Sequence, residues 1–473
     1  MQKEIKEECG VFGIFAPKID KTIGYKTYLA LCALQHRGEE SCGIAVNNDG
    51  VICCKKDLGL VSEVFKKHEI DGLIGKMSLG QVRYSGISKP QKENAQPLVI
   101  KFISGNMAIA YNGNLVNSLE LKKRLQKAGV IFQSGSDAEI ICSLIARERV
   151  HSTTTQEAIL KIMKKLKGAY SFVVMTKRKM IAVRDPHGFR PLCIGTLGKA
   201  IVFSSETCAL NVIDAKCLRD INPGEVYCKS DEKTTLNTCD KKVKPACCIF
   251  EYIYSSRPDS YFNGVSIHEF RKETGRYLAR NDKNDPIIAD IVCGVPDSGI
   301  DAALGYAEES KIPYGMAFIK NKYVGRTFIK PANQRRDLVK VKLSALQAVV
   351  ENKIVLLVDD SIVRGTTTGP IIKLLKKVKK AGAKEVHVRI ASPPFIDVCP
   401  FGTDVDRKSD LIACSMSLEE IRQHVGADSL KYLPVDDLNE IAIRNNIQGH
   451  CNGCFTGKYP MKVPKIIERD NFE

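Results

Sequence analysis

The sequence predicts two halves of different architecture: an α+β half with stacked layers, then an α/β half on a mostly parallel, doubly wound sheet. Three observations predict it. Residues 9 to about 235 break into short β-rich segments between turns, among them CGVFGIFAP, SCGIAVNNDG, MSLGQVRYSG, MAIAYNGNL and YSFVVMTKRKMIAVRD. The stretch 229–245, KSDEKTTLNTCDKKVKP, is polar and charged and reads as a linker or exposed connection. Beyond it, IIADIVCGVP, KIVLLVDDS and EVHVRIASP are nearly continuous apolar runs, the pattern of strands buried on both faces.

The elements follow in chain order. In the first half, helices are expected over 26–35 and 136–149. The second of these opens with Ser136-Asp137-x-Glu139, a helix start. In the second half, helices over 299–309 and 370–381 alternate with the apolar strands, which is βαβ order. The expected divisions are a leader of residues 1–8, a domain over 9–235, a second over 236–425, and a tail over 426–473 that carries a Cys pair.

Length and composition bound the function. A chain of 473 residues, 44% hydrophobic and 26% charged, suits two or three globular domains. No run of about 18 apolar residues exists, which excludes a membrane-spanning helix. The start MQKEIKEECG is charged and lacks the apolar core of a secretory signal. Eighteen Cys without such a signal point to a reducing cytoplasm and not to a disulfide scaffold. The net charge of +17 suits a polyanionic ligand, either nucleic acid or a phosphorylated metabolite, or a solvated lysine-rich surface. The basic residues are scattered without zinc-finger or RNA-recognition spacing, so nucleic acid is the weaker reading.

The most informative segment is Ile354-Val-Leu-Leu-Val-Asp-Asp-Ser-Ile-Val-Arg-Gly-Thr-Thr-Thr368. A buried strand delivers Asp359 and Asp360 to its C-terminal end, where open α/β sheets bind ligands. Residues 361–367 then form a loop with Gly365 and hydroxyls that leads into a helix, a setting for a phosphate monoester. Adjacent acids can accept from ribose hydroxyls or hold Mg²⁺. No Walker loop is present. The segment resembles the signature of the phosphoribosyltransferases, which bind phosphoribosyl pyrophosphate (PRPP). That resemblance implies a type I phosphoribosyltransferase domain in which Asp359, Asp360, Ser361, Val363, Arg364, Gly365, Thr366 and Thr367 bind PRPP. Gly294-Val-Pro-Asp-Ser298 would be its pyrophosphate loop, with Asp297 and Ser298, and Ser298 would join Asp359 and Asp360 around Mg²⁺. Lys320-Asn-Lys-Tyr-Val-Gly-Arg-Thr-Phe-Ile329 looks like the family's mobile loop, whose Lys320, Lys322 and Arg326 would close over the diphosphate and exclude water.

Near the start, Cys9-Gly-Val-Phe-Gly-Ile-Phe is a nucleophile followed by a strand, by itself a weak signal. Leu34-Gln-His-Arg-Gly-Glu-Glu-Ser41, Val82-Arg-Tyr84, Asn112-Gly-Asn-Leu115 and Ser136-Asp137 accompany it. Together they resemble the glutamine amidotransferases with an N-terminal nucleophile, which implies a four-layer Ntn-hydrolase sandwich. In that family Cys is the first residue of the mature chain and its α-amino group acts as base. The resemblance assigns Cys9 as nucleophile, with Asn112 and Gly113 as the oxyanion hole. It assigns Arg83 to the glutamine carboxylate and Asp137 to its ammonium. It also implies that residues 1–8 are a propeptide removed by self-processing between Glu8 and Cys9. The chain departs from the family pattern at Gln81 and Tyr111, where His is usual, at Gly86, where Thr is usual, and at Glu39, where Gln is usual.

Cys451-Asn-Gly-Cys454 could hold zinc, a redox disulfide or an iron–sulfur cluster. One branch of the glutamine PRPP amidotransferases carries this tail, a Cys before Glu-Tyr-Ile-Tyr and a Cys after Ser-Pro-Pro. The chain resembles that iron–sulfur, propeptide-containing branch from Cys9 to about Pro460, which implies one [4Fe–4S] cluster on Cys248, Cys399, Cys451 and Cys454. Cys247 adjoins Cys248, but the offset to Glu251 favours Cys248. The family resemblance further implies glutamine hydrolysis at Cys9 and passage of ammonia to PRPP, with one Mg²⁺ per subunit. Its product would be 5-phosphoribosylamine, the first committed step of purine synthesis, with purine nucleotides as feedback inhibitors and a homotetramer as the assembly. The same glutaminase half occurs with sugar-isomerase and asparagine-synthesising partners, but residues 355–368 argue against both. A nucleotide-sensing regulator that has lost catalysis is the alternative, and the retention of Cys9, Arg83, Asn112, Gly113 and Asp137 argues against it.

Overall fold

The structure, a computed structural model, describes residues 9–84, 91–103, 105–240, 243–321, 343–376, 382–402 and 407–463. Two antiparallel sheets occupy the first half. One has seven strands in the order Lys216–Asp220, Cys193–Leu197, Ala200–Ser204, Gly10–Asp20, Gly75–Arg83, Ser41–Asn48, Val51–Leu58. The other has six, in the order Thr234–Thr238, Glu225–Ser230, Lys179–Arg184, Gly168–Thr176, Gly105–Leu115, Leu98–Phe102.

Side-chain alternation decides how these sheets stack. On strand Gly10–Asp20, Val11 and Phe15 point into the space between the sheets with Leu79, Ala108, Ala110 and Val173. Phe12 and Ile14, on the opposite face, pack against Ile23 and Leu31 of helix Ile23–Ala33. On the second sheet, Ile109 and Phe172 face outward onto Ile141, Ile145 and Ile159 of helices Asp137–Arg149 and Thr155–Met163. The result is the expected four-layer sandwich, helix on sheet on sheet on helix. Each fully buried Phe or Ile in it contributes about 1.5–3 kcal/mol.

The second half holds a parallel sheet of Ile291–Gly294, Ile354–Asp359, Glu385–Ile390 and Ser429–Tyr432. Leu356 and Val358 face helices Ile267–Asn281 and Ile300–Ser310, while Val355 and Leu357 face Ile371 and Leu375 of helix Thr368–Lys376. Both faces are covered, which is why these strands read as unbroken apolar runs. The stretch set apart as a tail supplies the fourth strand of this sheet.

Some expectations shift. The helix expected over 26–35 runs Ile23–Ala33, and the one over 370–381 begins at Thr368, its described part ending at Lys376. Ser136 caps Asp137–Arg149 through its hydroxyl, which accepts from Ala138 N at 3.3 Å. The polar stretch 229–245 is not simply a linker. Its Thr234–Thr238 is the edge strand of the second sheet, solvent-facing along most of its length and therefore polar in sequence. Among the described residues no helix is long and apolar enough to cross a membrane.

Candidate active site

Cys9 sits half-buried immediately before the central strand Gly10–Asp20 of the first sheet. Its Sγ lies 3.7 Å from the carbonyl of Tyr84, just past the neighbouring strand Gly75–Arg83. Burial raises the thiol above its ordinary value, and the Arg83 guanidinium opposes that shift. Arg83 is held by Glu40 at 2.9 Å, so it stands oriented beside the thiol.

The facing strand, Gly105–Leu115, carries Tyr111, Asn112 and Gly113. Asn112 is 1% exposed, and its Nδ2 is buried with no hydrogen-bond partner among the described residues. An amide donor left unpaired in a dry site costs about 1–3 kcal/mol, so the fold holds a donor ready for an acceptor that arrives later. Gly113 has φ +154°, and a Cβ there would run into the Ala169 carbonyl, so the position needs glycine. Asp137, at the first turn of its helix, accepts from Leu115 N at 2.8 Å and from the Tyr111 hydroxyl at 3.2 Å.

Two departures from the family pattern, Gln81 and Tyr111, lie in this network. Tyr111 fixes Asp137 through its hydroxyl, and Gln81 Nε2 donates to the Tyr111 carbonyl at 2.5 Å. Gln96 takes the Tyr111 N–H at 3.0 Å and reaches Ser136 at 3.2 Å. The substituted positions 81 and 111 are thus bonded to each other. Gly86, like the leader 1–8, lies outside the described residues.

In the second half, the strand Ile354–Asp359 ends in the two acids, both 6% exposed. Burial and the adjacent Asp360 push the Asp359 carboxyl well above the usual range. Burial also raises Asp360, against the hydroxyls of Ser298 and Ser361, which both donate to it. Asp297 pairs with Lys320. Two carboxylates crowded in one dry spot beside a serine hydroxyl form a donor set that a divalent cation relieves, so these residues fit Mg²⁺. Gly365 has φ +69°, and a Cβ there would meet Ile412 Cδ1 at 2.7 Å. Thr366 and Thr367 follow at the start of helix Thr368–Lys376. Arg364 lies 3.9 Å from Asp410, and Val363 accepts from Ile412 N at 2.9 Å, so the loop is pinned from behind. Lys322 and Arg326 of the expected closing loop lie outside the described residues.

The four cysteines singled out in sequence line one cavity, together with Phe189, Arg190, Phe250, Phe401 and Tyr459. Cys248 and Cys451 are paired across a short parallel bridge, and Phe401 N donates to Cys399 Sγ at 3.4 Å. Cys247 does not line this cavity; its Sγ is bonded to the Gly449 carbonyl at 3.4 Å. Burial raises the Cys454 thiol well above its ordinary value, with Cys399 and Cys451 adding to the shift. Burial pushes Cys451 up to about 12. Among the described residues no three His, Cys, Asp or Glu side chains converge on a single ion. Four thiols lining one cavity are a soft donor set that suits either zinc or an iron–sulfur cluster.

The halves meet through buried contacts that spacing in the sequence does not announce. Asn114 Nδ2 donates to the Pro400 carbonyl at 2.8 Å, Cys248 N to the Phe189 carbonyl at 3.1 Å, and Arg37, which also holds Glu206 of its own half, to Glu251. Sequence reasoning named Arg37 and Glu251 only as parts of motifs, and missed Glu206 and the neighbouring Arg190.

Residues 83–212 match the model of a glutamine amidotransferase domain family. The chain is 44% identical to amidophosphoribosyltransferase of Methanocaldococcus jannaschii, over 98% of this chain and 100% of that one. It is 45% identical to amidophosphoribosyltransferase of Bacillus subtilis, over 98% and 96%. It superposes on the structure of glutamine PRPP amidotransferase from B. subtilis complexed with ADP and GMP with a TM-score of 0.88, at 44% identity, covering 97% of this chain and 98% of that one. A second solved structure, described as the allosteric regulatory enzyme of purine biosynthesis, superposes with a TM-score of 0.89 at 44% identity, covering 98% of each chain.

Proposed function

The chain belongs to the amidophosphoribosyltransferase family, and from that membership we propose how its own residues divide the work. The activity is transfer of ammonia from glutamine to PRPP, which opens purine biosynthesis.

Removal of residues 1–8 by cleavage between Glu8 and Cys9 frees the α-amino group of Cys9 to act as base, its ordinary pKa of about 7.7–8.0 suiting that task near neutral pH. The Cys9 thiolate attacks the glutamine amide carbon. Arg83, oriented by Glu40, holds the substrate carboxylate, and Asp137, oriented by Tyr111, holds the ammonium. The unpaired Nδ2 of Asn112 and the N–H of Gly113 receive the oxyanion. Collapse releases ammonia and leaves a glutamyl thioester on Cys9, which water converts to glutamate.

Ammonia passes between the halves to C1 of PRPP, displacing pyrophosphate and giving 5-phosphoribosylamine. Asp359 and Asp360 accept from the ribose hydroxyls, the loop 361–367 takes the 5-phosphate, and Asp297, Ser298, Lys320 and Arg326 surround the diphosphate. Ser298, Asp359 and Asp360 would hold Mg²⁺, which when bound offsets charge on the leaving pyrophosphate. Cys248, Cys399, Cys451 and Cys454 would hold a [4Fe–4S] cluster whose role is structural, tying the C-terminal segment to the junction. Purine nucleotides carry the same ribose phosphate and would compete for the 361–367 loop as feedback inhibitors. A homotetramer and a reducing, cytoplasmic setting, which suits eighteen cysteines, complete the proposal.

One observation carries this reading: a Cys9 thiol under the influence of the Arg83 guanidinium and a buried Asp359–Asp360 pair stand in one chain, on halves joined by buried contacts. Cys9→Ser tests it. The variant should lose glutamine-dependent synthesis and keep ammonia-dependent synthesis; loss of both in a folded, processed variant would contradict the two-site scheme.

A further inference from the structure

Arg37 ties the nucleophile to both halves at once. Its Nε donates to the Cys9 carbonyl at 3.1 Å. Its Nη1 donates to Glu206 at 2.6 Å and to Glu251 Oε2 at 3.1 Å, and its Nη2 to Glu251 Oε1 at 2.8 Å. All three side chains are buried: Arg37 is 1% exposed and Glu206 2%, and the side chain of Glu251 is 0% exposed. Glu206 follows strand Ala200–Ser204 of the glutaminase half. Glu251 comes from the other side of the junction, in the helical turn Glu251–Ser255, close behind the cavity residue Cys248.

Both carboxylates are fixed from behind. Glu206 accepts from His36 at 2.7 Å, Arg257 N at 2.9 Å and the Ser260 hydroxyl at 2.7 Å. Glu251 accepts from the Ser256 hydroxyl at 2.9 Å, and Arg190, a wall of the four-cysteine cavity, stands 3.6 Å away. Arg271 grips the far side of the same turn through the carbonyls of Tyr252 at 2.8 Å and Ser256 at 2.7 Å.

Stability alone does not account for this arrangement. Desolvating two ions offsets most of their attraction, and apolar side chains of like size would fill the space as well. Apolar side chains could not aim an N–H at the Cys9 carbonyl. We propose that Glu251 is a positioning residue for glutamine hydrolysis: through Arg37 it fixes the backbone of Cys9, and so the direction of its thiol, from across the junction. This rests on Cys9 being the nucleophile.

Glu251→Gln tests it, because the amide presents an N–H where Arg37 or Ser256 now finds an oxygen. In a folded variant, kcat with glutamine should fall at least about ten-fold, while KM for glutamine and the ammonia-dependent rate each stay within about two-fold. Alkylation of Cys9 by iodoacetamide should slow with kcat. Unchanged kcat and alkylation, or a parallel fall of the glutamine- and ammonia-dependent rates, overturns the inference. Should Glu251→Gln be insoluble, Glu251→Asp, one methylene short with its charge kept, takes its place, with the same result expected and the same results overturning the inference. Cys9→Ala belongs in the series. If it still releases glutamate, the premise falls and the inference with it; if it is inert while the Glu251 variant is unimpaired, the inference alone falls.

Discussion

Asn112 is buried on a strand, yet its amide Nδ2 has no partner among the described residues. The backbone around it is fixed by pairing with Gly168–Thr176. Asn112→Ala should therefore lower glutamine-dependent kcat by about 100- to 1,000-fold, the usual cost of one oxyanion donor, with ammonia-dependent synthesis retained. A loss below ten-fold would place the oxyanion elsewhere. Cys9, Arg83, Asn112 and Asp137 could be proposed from sequence because each lies in a short motif. The meaning of Gln81 and Tyr111 was not: in sequence they are only departures from the family pattern, and only the structure shows Gln81 on the Tyr111 carbonyl and the Tyr111 hydroxyl on Asp137. The bonds of Glu206 and Glu251 to Arg37 were illegible for a related reason. They span 169 and 214 residues of chain, and local spacing carries no trace of that.

Strands were the most readable elements, because burial on one face or two leaves a period-2 or an unbroken apolar pattern. Ile354–Asp359 was legible in outline, since an apolar run that gives way to two acids after Val358 marks the end of a buried strand. Thr234–Thr238 was not, because an edge strand facing solvent has the composition of a linker. The loop after Ile354–Asp359 gives the prediction at this scale. Gly365 adopts φ +69°, where a side chain costs about 1–2 kcal/mol, and its Cβ would press on Ile412 at 2.7 Å. Gly365→Ala should raise KM for PRPP by about ten-fold, since 1.4 kcal/mol is a factor of ten. An unchanged KM for PRPP in a folded variant would remove the loop from the phosphate site.

For the whole molecule, the junction decides function, because glutamine-dependent synthesis needs both halves. The four-cysteine cavity stands at that junction, with Phe189 and Arg190 from the first half and the four cysteines from the second. Cys451→Ser should lose bound iron and the visible absorbance of an iron–sulfur cluster in anaerobically purified protein, whereas Cys247→Ser, bonded to the Gly449 carbonyl, should keep both. Equal iron in the two variants would reject the ligand set. The central claim, two sites coupled in one enzyme, is tested most directly by glutamate release from glutamine in anaerobically purified protein, with and without PRPP and Mg²⁺. Release strongly stimulated by PRPP is the predicted result. Release indifferent to PRPP would contradict the coupling of Cys9 to the Asp359–Asp360 site.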